Sequence, residues 1–298
     1  MTSHPFDPRV SKFAHALTNA PEGDRQASAV CVFIASDKLK TAITAIRVKL
    51  ATTYSELMAL SDDERTTRYR AACPNKTAKN PAEIPLHLAK IAVTEMKKAL
   101  PGVTLSGTCK ERGNGKMEAH SGVIQADLDG IIEPGGDTAP LEDVRVRLAA
   151  SPHCCFVAIS PSGTGIKAGF RVAADASLHK RSVEAARLHV LKLTGLEMDA
   201  ARSDYAGLMF MTHDPKCTWN GDAAEMLPAP EQNSATEGRA DFRSGATAGA
   251  APAELKRRAR IADLILGDIE WQDDMTGFCQ CPGISKHGAG DGPKDCMV

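Results

Sequence analysis

The sequence predicts an α+β fold whose functional centre is a β-α-β-β-α-β unit spanning residues 122–212. Two observations point there. Four short apolar runs alternate with two amphipathic stretches in that order, and the first run, Gly122-Val123-Ile124-Gln125-Ala126-Asp127-Leu128-Asp129, ends in two carboxylates two residues apart. A strand alternates its side chains, so Asp127 and Asp129 share a face and Leu128 takes the other. Two neighbouring carboxylates repel unless a cation lies between them, and a hard ion such as Mg²⁺ or Mn²⁺ suits all-oxygen donors and bridges to substrate phosphates. Asp-x-Asp alone is a weak signal, because many such pairs are solvated turn residues.

Composition bounds the rest. The chain of 298 residues is 43% hydrophobic and only 4% aromatic, with a formal net charge of −1. That supports a substantial core and excludes a global basic field, so a polyanion site has to be a local patch. No apolar run approaches the ~20 residues that cross a bilayer, and Met1-Thr2-Ser3-His4-Pro5 lacks the pattern of a signal peptide. The expectation is a soluble, cytoplasmic protein with no membrane partner. Of the nine cysteines, Cys31, Cys73, Cys109, Cys154, Cys155 and Cys217 are scattered in or beside apolar segments and read as core thiols in a reducing compartment.

In chain order, residues 1–27 read as irregular or a short helix and Val30-Cys31-Val32-Phe33-Ile34 as a buried strand. Residues 38–60 carry Leu39, Ile43, Ile46 and Leu50 at helical spacing. The polar residues 61–85 read as a loop with part of a helix. Residues 86–100 form a second amphipathic helix closed by Pro101-Gly102. Residues 103–107 read as a strand and Arg112-Gly113-Asn114-Gly115 as the turn after it. Strands then follow over residues 122–128, 155–160, 166–172 and 207–212, with helices over 141–150 and 178–194, the latter stopped by Gly195. This order is the split βαβ, or ferredoxin-like, arrangement shared with RNA-recognition folds, in which the first and third strands lie together at the sheet centre. The expected organisation is an N-terminal α/β part over residues 1–110, an RRM-like core over 111–227, a flexible linker over 228–252 rich in Ala, Gly, Ser, Thr, Pro and Glu, and a small C-terminal Cys/His segment with a basic helix over 253–298.

The second and third strands are joined by Ser160-Pro161-Ser162-Gly163-Thr164-Gly165-Ile166-Lys167. Its glycines permit close backbone approach, the hydroxyls of Ser160, Ser162 and Thr164 and the amides around Gly163 and Gly165 suit phosphate oxygens, and Lys167 adds positive charge. It joins two strands and lacks the Gly-Lys-Ser/Thr order, so it is not a Walker loop; a plain hairpin turn is the alternative. Asp199, after the long helix, is placed to return toward the first-strand carboxylates, with Asp204 a rival for that role. Arg202, His213 and Asp214 are further charged residues nearby, the last two more often cap or turn residues than catalysts.

In this order, with Lys98-Ala99-Leu100-Pro101-Gly102-Val103-Thr104-Leu105-Ser106-Gly107 ahead of them, these motifs resemble the archaeo-eukaryotic primase (primase-polymerase) superfamily, in particular its VirE N-terminal-like branch of phage, plasmid and transposon replication proteins; the likeness spans roughly residues 85–220. The resemblance implies that Asp127, Asp129 and Asp199 bind the catalytic Mg²⁺ or Mn²⁺ ions, and that the Ser160–Gly165 turn with Lys167 contacts the phosphates of the incoming nucleotide. Lys167 stands where most of the superfamily has the histidine of a Ser-x-His motif, and Ala206 where near members often have arginine. The implied activity is primer synthesis or extension by two-metal phosphoryl transfer in a mobile genetic element or phage, with nucleoside triphosphates, a single-stranded DNA template, and a helicase domain or replication proteins as partners.

The tail brings Cys279, Cys281, His287 and Cys296 within eighteen residues, a ligand set for tetrahedral Zn²⁺, with a disordered tail bearing incidental cysteines as the alternative. The run Lys256-Arg257-Arg258-Ala259-Arg260 reads as a solvated helix face or a phosphate contact. The end at Cys296-Met297-Val298 reads as a truncation ahead of a further C-terminal half. The competing function is a catalytically inactive single-stranded nucleic-acid or origin-binding module. The scarcity of aromatics disfavours it, since such sheets bind by base stacking. A third is a different metal-dependent phosphotransferase or nuclease.

Overall fold

The computed structural model describes residues 5–74, 76, 80–113, 115–199 and 204–230, and the short strands Glu270–Trp271, Gly277–Cys279 and Cys296–Met297. Residues up to 232 form one compact unit and residues 233–298 a second. The first unit is a mixed α+β fold with antiparallel sheets, and no helix among the described residues is long and apolar enough to cross a membrane.

The N-terminal layer opens with strands β1 (Arg9–Phe13) and β2 (Gly23–Gln26), followed by helix α1 (Ala27–Ala35). The apolar run expected as a strand is this helix. Its buried residues are Ala27, Val30, Cys31 and Ile34, the i, i+3, i+4, i+7 set of a helix face, while Val32 between them is 71% exposed. A short apolar run does not distinguish the two by itself. Helix α2 (Lys40–Met58) buries Ile43, Ile46, Leu50 and Leu57, as the spacing predicts.

Helix α3 (Asp62–Ala72) starts from a capping box, with the Ser61 side chain on the Glu64 amide and the Glu64 carboxylate on the Ser61 amide. The stretch expected as one helix is two, α4 (Ile84–Ala92) and α5 (Thr94–Lys98), broken at Val93. There the Thr94 hydroxyl donates to the Lys90 carbonyl at 3.0 Å, a back-bond that bends helices. Strand β3 (Gly102–Thr104) pairs with β1, so the first sheet runs β2-β1-β3, and β4 (Gly107–Cys109) makes a separate hairpin with β5 (Met117–His120).

The central unit contains β6 (Val123–Leu128), α6 (Ala139–Ala149), β7 (Cys154–Ile159), β8 (Ile166–Arg171) and α7 (His179–Thr194). Gly195 ends α7 with a φ of 73°, the left-handed cap that glycine adopts without strain. First and third strands of the unit pair, β8 lying between β6 and β7, all antiparallel to their neighbours. The fourth strand differs from expectation. Strand β9 (Met209–Phe210) pairs with β3 in the N-terminal sheet, and β10 (Thr218–Trp219) extends the central sheet at β7.

Alternation along the central strands separates two cores. Ile124, Ala126 and Leu128 of β6, with Ile166, Ala168 and Phe170 of β8, pack under Leu141, Val144, Leu148, Ala186 and Val190 of the two helices. Val123, Phe156 and Ala158 pack on the opposite face against Val10, Val30, Ile34, Val103 and Met209 of the N-terminal layer. The sheet is therefore covered on both faces. In the second unit β11 (Glu270–Trp271), β12 (Gly277–Cys279) and β13 (Cys296–Met297) form an antiparallel sheet, in which Cys279 is the register partner of Cys296.

One junction is pH-sensitive. The Gly122 amide donates to His120 Nδ1 at 2.9 Å, so His120 Nε2 carries the proton and donates to Nδ1 of His179, 3.0 Å away, with Tyr205 stacked on His120. Burial first, and His179 next, push His120 down to about 4 against the pull of Asp175. The folded state thus holds fewer protons than the unfolded one between pH ~6.5 and 4, so stability is complete above that window and falls through it on acidification. Thermal melts at pH 7 and 4.5 are expected to show a fall in Tm that is smaller in His120→Gln; equal falls in both proteins contradict this origin.

Candidate functional site: a lysine-rich cleft around Asp127 and Asp129

The register of β6 against β8 pairs Asp127 with Lys167 across the sheet. Both lie on the face turned to the N-terminal layer and both are buried, 3% and 5% exposed. Lys167 Nζ donates to Asp127 Oδ2 at 2.6 Å. Asp129, just past the end of β6, is exposed. Asp127 and Asp129 line one cleft of ≈ 280 Å³ with Lys167, Ser160, Ser162, Lys90, Thr94, Lys97 and Lys98. Leu128 faces the helices, as the alternation predicts.

The Ser160–Gly165 turn is held from inside. The Ser160 amide donates to the Gly165 carbonyl and the Gly163 amide to the Ser160 carbonyl, both at 2.9 Å. The Thr164 hydroxyl donates to Ser162 Oγ at 3.0 Å, and Ser162 Oγ lies 2.8 Å from Ser160 Oγ. Gly163 has a φ of 72°, where a side chain is strained. At Gly165 a Cβ would collide with the Leu128 carbonyl oxygen, so glycine is what lets the turn lie against the strand end that carries Asp129. The Thr164 carbonyl accepts from the Ile131 amide at 2.9 Å, tying the turn to the segment after Asp129. Of the six turn residues expected at the phosphates, Ser160, Ser162 and Lys167 line the cleft, and Gly163, Thr164 and Gly165 shape the turn.

Asp199 comes back to the first strand as expected. Its amide donates to the Asp127 carbonyl at 2.9 Å along the outer edge of β6, and it is half-buried outside the lining of the cleft. Asp204 instead caps its own turn, accepting from the Ala206 amide. Asp214 is structural: its Oδ2 accepts from the Ile159 amide at 2.7 Å and from Arg145 at 2.8 Å, and its Oδ1 from the Lys216 amide. His213 Nδ1 pairs with the Ser36 carbonyl. Arg202, the run from Lys256 to Arg260, Cys281 and His287 lie outside the described residues, so of the four expected zinc ligands only Cys279 and Cys296 are placed, by register.

Four contributors were not legible in the motifs. Lys90, Thr94 and Lys97 follow at i, i+4 and i+7, which sets them along one side of the bent α4–α5 pair and aims them at the carboxylates. That spacing of lysines is the signal that marked them. Burial lowers the Lys97 ammonium below the ordinary lysine range, with Lys167 and Lys90 adding to the effect and Asp129 opposing it. Arg47 of α2 is the fourth. Its Nη2 donates to the Ser160 and His213 carbonyls, each at 3.2 Å, and its stem lies against Gly163. It clamps the turn to the N-terminal layer.

Four lysines line this cleft with two aspartates, so its lining carries more positive than negative side chains. Among the described residues no group of three or more His, Cys, Asp or Glu side chains is gathered as a metal cluster. Mg²⁺ is commonly held by one or two carboxylates plus substrate phosphates and water. Asp127 and Asp129, opening on one cleft beside cationic groups suited to phosphate, fit that mode.

Comparison with known proteins gives a likeness to a family. Residues 95–219 match the family model described as BT4734-like, N-terminal domain, a family associated with the primase-polymerase and VirE-like group. The matched segment contains Asp127, Asp129, Lys97, Lys98, Lys167 and Asp199, while Arg47 and Lys90 precede it. No curated protein and no solved structure matches the chain.

Removing one member of a buried ion pair strands the other, at a cost of about 3–5 kcal/mol, whereas replacing both with apolar groups is often near neutral. Urea denaturation is expected to show Lys167→Met strongly destabilised, with Asp127→Leu in the same chain restoring most of the loss. A single variant no less stable than the double one contradicts the pairing.

Proposed function

We propose that this cleft binds the triphosphate of a nucleotide and that the protein is a primase-polymerase-like nucleotidyltransferase acting in the replication of a mobile element or phage. The observation that carries the reading is the convergence of Lys90, Lys97, Lys98 and Lys167 on the Asp127/Asp129 pair. Lys98 is bonded to the exposed Glu95 carboxylate at 2.8 Å, and with that charge counted the four ammonium groups still outnumber the carboxylates, an excess that a polyphosphate offsets, while the Asp127/Asp129 pair supplies what phosphoryl transfer requires beside it. The likeness of residues 95–219 to a family associated with primase-polymerases supports the same chemistry.

In this reading the lysines hold the phosphate oxygens and offset the charge that builds on them as the bond to the leaving pyrophosphate breaks. Ser160 and Ser162 border the same phosphates, in a turn already fixed by its own hydrogen bonds and by Arg47, so little ordering cost remains on binding. Asp127 and Asp129 would hold Mg²⁺ or Mn²⁺ together with the phosphates, which supplies activation of the attacking hydroxyl and neutralisation of the leaving group. Lys167 sets the Asp127 carboxylate in place by its 2.6 Å contact. A single-stranded template and, through the C-terminal unit, Zn²⁺ and replication partners complete the proposal.

One observation favours a second reading. Lys167 already neutralises Asp127, which suits a module that binds nucleotides or single strands without turning them over. Incorporation of labelled nucleotides on a single-stranded template with Mg²⁺ or Mn²⁺ separates the two. Asp129→Ala is the informative variant, because Asp129 is exposed and its loss leaves no buried charge behind. Incorporation by the native protein with a fall of at least ~100-fold in the variant, at unchanged Tm, is expected for the loss of a metal-binding carboxylate. Undiminished incorporation in the variant overturns the assignment, and no incorporation with single-strand binding intact leaves the binding module.

A further inference from the structure

A second cavity of ≈ 460 Å³ adjoins the lysine cleft. The two share Lys90, and the second begins at Gly130, the residue after Asp129. Its chemistry is opposite to that of the first. Tyr54, His87, Leu86, Ile131 and Ile132 give it aromatic and apolar walls, and Glu83 and Glu133 stand at its edge. Its volume falls in the range of about 300–1,000 Å³ usual for small-molecule sites.

We infer that this cavity receives the base and sugar of the nucleotide whose phosphates lie in the lysine cleft, an inference that rests on the proposed function. A nucleoside triphosphate is a strongly anionic tail on an uncharged, flat, largely apolar head. The lysine cleft takes the tail, and the glutamates repel it from the second cavity, so the molecule has one favourable orientation along the trough. Tyr54 and His87 present ring surface for the base, and the carboxylates accept from sugar hydroxyls and exocyclic amino groups. Burial first, and the neighbouring Glu133 carboxylate next, hold the Tyr54 phenol above the ordinary tyrosine range, and both side chains line this cavity, Tyr54 from helix α2 and Glu133 from the segment after Asp129. Tyr54, Leu86, His87 and Lys90 precede the segment that matches the family model, so the rings offered to the base come from the N-terminal layer, while Ile131, Ile132 and Glu133 come from the matched segment.

The test compares ATP with inorganic tripolyphosphate, both with Mg²⁺, by calorimetric titration of the full chain. The native protein is expected to bind ATP at least about tenfold more tightly than tripolyphosphate. Tyr54→Ala is expected to remove most of that difference by weakening ATP while leaving tripolyphosphate unchanged. Equal affinity of the native protein for the two ligands overturns the inference and leaves the phosphate site standing; this comparison needs no variant to fold. Binding of neither ligand overturns the proposed function and the inference with it. A Tyr54→Ala protein that keeps the full preference for ATP overturns the placement of the base at this wall.

Discussion

The antiparallel pairing of β6 with β8 is the constraint from which the site follows. It sets Asp127 opposite Lys167 and closes a 2.6 Å ion pair between two side chains that are each almost wholly buried. The same register sends Ile124, Ala126 and Leu128 into the core beneath the helices. A slip of either strand by one residue would exchange that strand's faces and drive its charge into that core. The hydrophobic pattern of the sheet and the position of its charges are therefore one specification.

The carboxylates and the lysines reach the cleft by different routes. The central unit supplies Asp127, Asp129, Lys167 and the hairpin turn, whose approach to the strand end depends on Gly165 lacking a side chain. The helices before β3 supply Lys90, Thr94, Lys97 and Lys98, and Arg47 fastens the turn to that layer. An aspartate pair facing only its own sheet would be a partly solvated turn feature. Faced by a wall of lysines, it becomes, in the proposed function, a place where phosphate and a divalent ion would stabilise each other.

Much of this was readable before the structure, because β6, β7, β8, α6 and α7 have strong local signals. Each is apolar at the right period, all but β8 end at a glycine, a proline or a charged pair, and the expected boundaries lie within about two residues of those observed. The turn and the carboxylates belong to the same hairpin neighbourhood, so their meeting was legible too. What was lost depends on distant partners. Strand β2, with the sequence Gly-Asp-Arg-Gln, has no apolar residue and exists because β1 offers it a pairing edge. Strand β9 follows an apolar run as expected, yet its choice of β3 as partner is set by tertiary packing. The lysine wall needed the bend at Thr94, which becomes decisive only once the strands are in place beneath it.

The most direct measurement is a crystal structure of the protein with a non-hydrolysable nucleoside triphosphate and Mn²⁺, with the metal located by its anomalous scattering. The account predicts phosphates among Lys90, Lys97 and Lys167 and manganese at Asp127 and Asp129. Phosphates bound elsewhere, or manganese away from both aspartates while Lys167 keeps its bond to Asp127, would contradict it.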